Sequence, residues 1–216
     1  GNLCFEVHIS SLGCDSGTFT AEAQPIIASV KIGSDTGATL ETVALALGGG
    51  PDPLGWKSHA LVAGVMLHVA NPTRPAEARR FYEAALRLGG ETIPPLDIYD
   101  IEAGIAIAWL QKDRGVEAIP HLERAISAIR SIPGTSGDSD ATNPQNLLDE
   151  ALYNLVCARS LAGDTEAACA GARELLTPLD AGHRRAKLKD LKKDKQTRAM
   201  IRSDCYDHLL TELGLD

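Results

Sequence analysis

Three short segments of this chain share one arrangement of small residues, and that arrangement limits what the chain can fold into. In "EARRFYEAAL", "EAIPHLERAI" and "AACAGAREL" an alanine (Ala78, Ala118 or Ala168) is followed four residues on by Tyr82, Leu122 or Ala172, and seven on by Ala85, Ala125 or Leu175. Positions i, i+4 and i+7 lie on one face of an α-helix. A face founded on alanine lets a second helix come close, and the larger members fill the groove between the two. Composition agrees: 44% of the 216 residues are hydrophobic but only 4% are aromatic, so the core is built from Ala, Leu, Ile and Val. A chain of this length buries enough surface to fold without a metal or disulfide.

Around these segments the sequence reads as helical pairs from Leu54 onward. "WKSHALVAGVMLHVA" carries Leu61, Val62, Val65, Met66 and Val69 as a stripe, and "AEARRFYEAALRL" presents Ala78, Phe81, Tyr82, Ala85 and Leu86. "DIYDIEAGIAIAWLQ" and "VEAIPHLERAISAI" make the second pair, with Ala118, Leu122, Ala125 and Ile126 inward. After the polar stretch "PGTSGDSDATN", Asn143 and Pro144 suit the cap and first turn of the next helix. "ALYNLVCARSLAGDTEAACAGARELL" is the third pair, turning at "AGD". One or two terminal helices follow, with Ile201, Cys205 and Leu209 facing that pair. The first fifty residues differ: "LCFEVHIS", "TFTAEA" and "IIASVKI" read as short strands or an extended arm, "ATLETVALAL" as one helix, and "GGGPDP" as a boundary. The expected organisation is an extension over 1–50, helical repeats over 54–180 and a basic cap over 183–216.

The repeated segments resemble the tetratricopeptide repeat (TPR) family. "YNLVCARSLAGDTEAA" carries the likeness best, with Asn154-Leu155-Val156 in a first helix, Gly163-Asp164 at the turn and Ala168 opening the second helix. "FYEAAL" and "HLERAI" are similar to the family's second-helix ending. The resemblance spans roughly Leu54 to Asp180. It implies a mainly α fold of antiparallel helix pairs stacked as a short right-handed solenoid, here with a short β or extended N-terminal segment and a C-terminal capping helix. The aligned alanines lie 40 and 50 residues apart, against about 34 in the family, so the connections are longer. Thr73 and Asp113 stand where the family has its turn glycine.

Charge is unevenly spread. The chain carries −8, yet "HRRAKLKDLKKDKQTR", His183 to Arg198, has eight Lys/Arg against Asp190 and Asp194, a net +6 that leaves −14 for the remainder. The overall charge disfavours nonspecific nucleic-acid binding, and the basic segment suits an acidic partner or a solvated face. The five cysteines, Cys4, Cys14, Cys157, Cys169 and Cys205, form no CxxC and no metal-ligand spacing. They read as reduced thiols used as small apolar residues, with Cys4–Cys14 able to pair in an oxidising compartment and Cys157 able to approach Cys169. No apolar run reaches the roughly 18 residues of a membrane span. The chain starts at Gly1 and its first methionine is Met66, which suggests a removed leader or a piece of a longer protein, soluble and cytoplasmic or organellar.

The leading functional reading is a non-catalytic interaction module: a scaffold or adaptor with no cofactor and no metal, binding a protein or peptide. The resemblance implies partner contacts along the first helix of each pair, at Lys57, His68, Tyr99, Glu102, Asn154 and Arg159. The basic segment adds Arg184, Arg185, Lys192 and Lys193. A second reading is an accessory subunit of a larger organellar or membrane-associated complex, held in a fixed assembly. A third comes from Asp35-Thr36-Gly37, similar to the active-site turn of retroviral-type aspartic proteases, where paired aspartates share a proton. Gly33 and Ser34 stand where that family has an apolar strand, and Gly and Asp are common turn residues anyway. We expect no acid-dependent peptide cleavage by this chain; cleavage abolished by Asp35→Asn would establish the protease reading instead.

Overall fold

The computed structural model describes residues 55–69, 73–132 and 143–215. Described residues are helical throughout, with no strand among them. The expected N-terminal strands and helix, the "GGGPDP" boundary, Cys4, Cys14 and Asp35 lie outside the described residues, as does the stretch 133–142. The chain forms two compact units, divided between Gly104 and Ile105. That division falls inside a helix and not at a loop.

The described part of the first unit begins with α1, Trp56–Gly64, which runs on into a π-helical turn at Val65–Val69. Next come α2, Pro75–Gly89, a 3-10 turn at Gly90–Thr92, and the first half of α3, Pro95–Leu110. Pro75 opens α2, where its missing N–H costs nothing. The π turn corrects the stripe expected for α1. Met66 and Leu67 are buried and Val65 is only half-buried, because the wider turn rotates the register of everything after Gly64. Tyr82 of α2 lies against Gly104 of α3, where an added Cβ would come within 2.4 Å of the ring. Glycine at 104 is what lets that ring seat on α3.

The second unit holds the end of α3, then α4 (Gly115–Arg130), α5 (Pro144–Leu161) and α6 (Thr165–Leu176). Helix α4 packs on α5, and α5 on α6. The turns after α3 and after α5 are built alike. Arg114 N–H donates to Trp109 O (3.1 Å) and Asp113 N–H to Leu110 O (2.9 Å); fifty residues on, Asp164 N–H donates to Arg159 O (3.0 Å) and Gly163 N–H to Ser160 O (3.1 Å). Both turns need a left-handed residue, which Gly163 supplies at φ +81° and Asp113 at φ +54°. Aspartate is among the few non-glycine residues that adopt this conformation, at a modest cost. Asp164 then caps α6 by accepting from Ala167 N–H (3.0 Å), and Asn143 caps α5 by accepting from Gln145 N–H (2.9 Å).

All nine positions of the small-residue pattern are buried, eight of them at 0% exposure and Tyr82 at 6%. Gly115 shows how close the helices come: a Cβ there would lie 2.2 Å from the Ala158 carbonyl oxygen. The backbone of α4 therefore starts directly against that of α5.

The C-terminal segment forms three helices, one more than the most expected: α7 (Ala181–Lys193), α8 (Arg198–Ile201) and α9 (Asp204–Leu213), with a 3-10 turn at Lys195–Thr197. Leu188, Leu191, Met200, Tyr206 and Leu209 share one core with Val156, Ala168, Cys169, Ala172 and Leu176. Cys205 and Leu209 are buried as the sequence predicts, and Ile201 half-buried. The reading of every cysteine as a reduced thiol is overturned: Cys169 of α6 and Cys205 of α9 form a disulfide. Helical phase put each on the buried face, but their pairing needs the tertiary arrangement of α9 on α6. Cys157, not bonded to Cys169, is a buried free thiol.

Two outcomes follow for stability. Gly115→Ala should lower the unfolding free energy by about 1–3 kcal/mol, the typical cost of overpacking a tight contact, read as a shift in urea midpoint. The disulfide closes a loop with a sequence separation of 36. Its reduction should lower stability by roughly 3–4 kcal/mol, the loop-closure entropy returned to the unfolded chain. A Cys169→Ser/Cys205→Ser variant should show the same loss without reductant.

Candidate functional site

Among the described residues, a cleft of about 550 Å³ lies between α5 and α7, lined by Asn146, Asp149, Glu150, Tyr153, Lys187 and Asp190. Spacing explains its α5 wall. Residues 146, 149, 150 and 153 fall at i, i+3, i+4 and i+7, one face of the helix, and the apolar residues of α5 occupy the other. Lys187 and Asp190 are likewise three apart on α7. The cleft is mixed in chemistry, with three carboxylates, one amide, one ammonium and one phenol. Lys187 Nζ stands 5.7 Å from the Tyr153 ring centroid, a cation–π contact that holds the lysine across the cleft.

At one end lies Asp194, the residue just past α7. Its Oδ1 accepts from Gln196 N–H (2.8 Å) and so starts the 3-10 turn. Its Oδ2 accepts from the Tyr153 hydroxyl (3.1 Å) and faces the Cys157 thiol at 3.8 Å. Gln196 and Lys195 reach the turn after α3: Gln196 Nε2 donates to Leu110 O (2.8 Å), and Lys195 Nζ lies 3.6 Å from Asp113 Oδ1. One short segment thus joins α5, α7 and the left-handed turn at Asp113.

These surroundings keep the thiol and the phenol protonated. Burial pushes the Cys157 thiol far above its ordinary value, with the nearby Asp194 carboxylate adding to the shift. Burial likewise raises the Tyr153 phenol, and Cys157 and Asp194 raise it further. A buried thiol that resists ionisation is a poor nucleophile. The arrangement suits a fixed hydrogen-bonded wall more than acid–base chemistry. Among the described residues no group of three or more His, Cys, Asp or Glu is placed to hold a metal ion, and no helix is long and apolar enough to cross a membrane.

The sequence-predicted contact residues are not brought together. In the first unit, Lys57 is exposed, with its Nζ 5.5 Å from the neighbouring Trp56 ring, and His68 is exposed on the π turn. Crowding by protein still lowers the His68 pKa below the ordinary value. Tyr99 and Glu102 are corrected: both are buried, at 4% and 3% exposure, and do not form an open face. Helix α3 is apolar nearly all round, so it is an interior helix and its polar residues go inside with it.

In the second unit, Asn154 is half-buried beside the cleft wall. Arg159 is occupied internally, donating to Ala167 O (3.2 Å) and to Glu123 (3.2 Å). Arg184 is corrected as well. Its guanidinium donates to the carbonyls of Leu176, Thr177, Leu179 and Leu213, closing the end of α6 and tying it to the end of α9. It is a clamp within the fold. Arg185, Lys192 and Lys193 are exposed. Residues that sequence reasoning missed are Tyr153, Lys187 and Asp194. The polar stripe 146–150–153 on α5 was a visible signal for the first; nothing local announces that Asp194 meets Tyr153 across 41 residues.

No family model, no curated protein and no solved structure matches this chain.

Protonated Cys157 and Tyr153 give a signed pH dependence. Ordinary values are 9.0 for the thiol and 10.0 for the phenol, and both are raised in the folded state. Above those values the unfolded chain has released protons the native state still holds, so stability falls as pH rises and is fully present below about pH 9. Tyr206, pushed up to about 12 by burial, acts in the same direction. Urea midpoints measured upward from neutral pH should begin to fall near pH 9. In Cys157→Ala the fall should start about one pH unit later.

Proposed function

We propose that this chain is a non-catalytic protein-interaction module, a TPR-like array whose cleft between α5 and α7 receives a peptide segment of its partner. The observation that carries this reading is the recurrence, fifty residues apart, of one hairpin turn with the same hydrogen bonds and a left-handed residue at Asp113 and Gly163. A repeated helix pair founded on buried alanines is the building unit of superhelical arrays, which present surfaces to extended or helical peptides. Stacking as a right-handed solenoid belongs to this proposal. The cleft supports it through its chemistry: side chains that donate and accept hydrogen bonds along an open channel, with Tyr153 offering an apolar face.

In this reading the partner segment lies along α5, contacting Asn146, Glu150, Tyr153 and Asn154. Lys57 and His68 remain contact residues proposed for the first unit. Selection of binders from a displayed random-peptide library tests the idea. We expect selected peptides to lose at least tenfold in affinity for Glu150→Lys/Tyr153→Ala, by titration calorimetry, while far-UV circular dichroism is unchanged. Selected peptides that bind the variant as tightly as the parent chain would remove the cleft from this role.

A further inference from the structure

Helix α7 touches the rest of the second unit along a narrow line. Leu188 and Leu191 are its only buried residues, Arg184 and Lys187 are half-buried, and the other nine are exposed. At 3.6 residues per turn each step of four residues advances the helix face by about 40°, so Arg185, Lys189 and Lys193 form one stripe on a flank of α7 about 12 Å long. Lys192 lies beside that stripe. Asp190 and Lys187 line the cleft, and Asp190, three residues before Lys193, adjoins that end of the stripe. Of the two acidic residues of the basic segment, Asp190 borders the stripe only at its Lys193 end, five residues from Arg185, and Asp194 is committed to Tyr153 and Gln196.

Arg198 opens α8; the other seven cations of the segment separate by what they already do. Arg184 holds four carbonyls, Lys187 stands over Tyr153, Lys192 stands 5.8 Å from the Tyr206 ring, and Lys195 meets Asp113. Among the described residues, Arg185, Lys189 and Lys193 have no ion pair, hydrogen bond or ring contact through their side chains. Three unpaired cations at i, i+4 and i+8 on a barely buried helix are a regular positive surface.

We infer that the Arg185–Lys189–Lys193 stripe of α7 is a docking surface for a short acidic peptide segment, with carboxylates spaced along about 12 Å to match it. Neighbouring acids select the length of the ligand: Asp149, Glu150 and Asp190 line the cleft beside the helix. A polyanion longer than the stripe, whether a nucleic acid or an anionic bilayer, meets that negative surface, while a short acidic segment does not. This surface is separate from the cleft and does not depend on the reading given for it.

The test uses the whole chain and a fluorescein-labelled alanine-based helical peptide with glutamates at i, i+4 and i+8. Fluorescence anisotropy should report binding that weakens with added salt and falls at least tenfold for Arg185→Glu/Lys189→Glu/Lys193→Glu. A charge-matched control, Arg80→Glu/Arg87→Glu/Lys112→Glu, alters exposed cations elsewhere and should bind as the parent does. Circular dichroism and melting curves confirm that both variants fold. Equal loss in the two variants would overturn the proposal, because bulk charge would then explain the binding. So would tighter stripe-dependent binding to a single-stranded oligonucleotide or to phosphatidylserine vesicles than to the peptide. Absence of peptide binding by the parent chain at low salt would overturn it too.

Discussion

The second unit depends on how near its helices can come. Gly115 starts α4 against the Ala158 carbonyl, Gly171 of α6 lies against Val156 of α5, and Ala118, Ala125, Ala168 and Ala172 leave no side chain to hold the helices apart. Close backbones give each small residue many dispersion contacts, which hold together a core with few aromatics. The turns follow from the same requirement. A helix returning along its predecessor at this distance needs a chain reversal of few residues, and a left-handed residue ends one helix and aims the next.

Much of this was legible in one dimension. The alanine register of α2, α4 and α6 located nine buried positions correctly, because i, i+4 and i+7 spacing has a single structural meaning in a helix. The cap at Asn143 and the turn at Gly163-Asp164 were legible because each is a local contract between a side chain and the backbone within three residues. Failures share another cause. The π turn at Val65–Val69 changes register by a hydrogen-bond shift that no residue type encodes. Tyr99 and Glu102 are polar residues on a helix too apolar to be at a surface, so the neighbours and not the residues decided their burial. Arg184 looks like any exposed arginine until the ends of α6 and α9 are placed around it.

The candidate site was the least legible part. Half of it, the α5 stripe, is periodic and visible; the other half arrives on α7 with a connection of its own. Helix α7 is divided lengthwise, with cleft-lining groups on one flank, unpaired cations on the other, and a thin apolar seam of Leu188 and Leu191 between. Counting charges along the sequence merges those flanks into one basic run. Only the helical arrangement shows that Asp190 lines the cleft with α5 and Asp194 bonds Tyr153, so that the positive flank meets an acid only at its Lys193 end.

The Cys169–Cys205 bond makes a covalent ring of the chain from α6 to α9. Everything in that ring, including the Arg184 clamp, α7 and the Asp194 turn, hangs between two fixed points on one buried sulfur bridge. A protease that cut the chain once within residues 177–203 would leave two strands still joined, and α9 would remain seated on α6. Loss of the C-terminal piece from this molecule therefore takes two events, a backbone cut and a reduction, in either order.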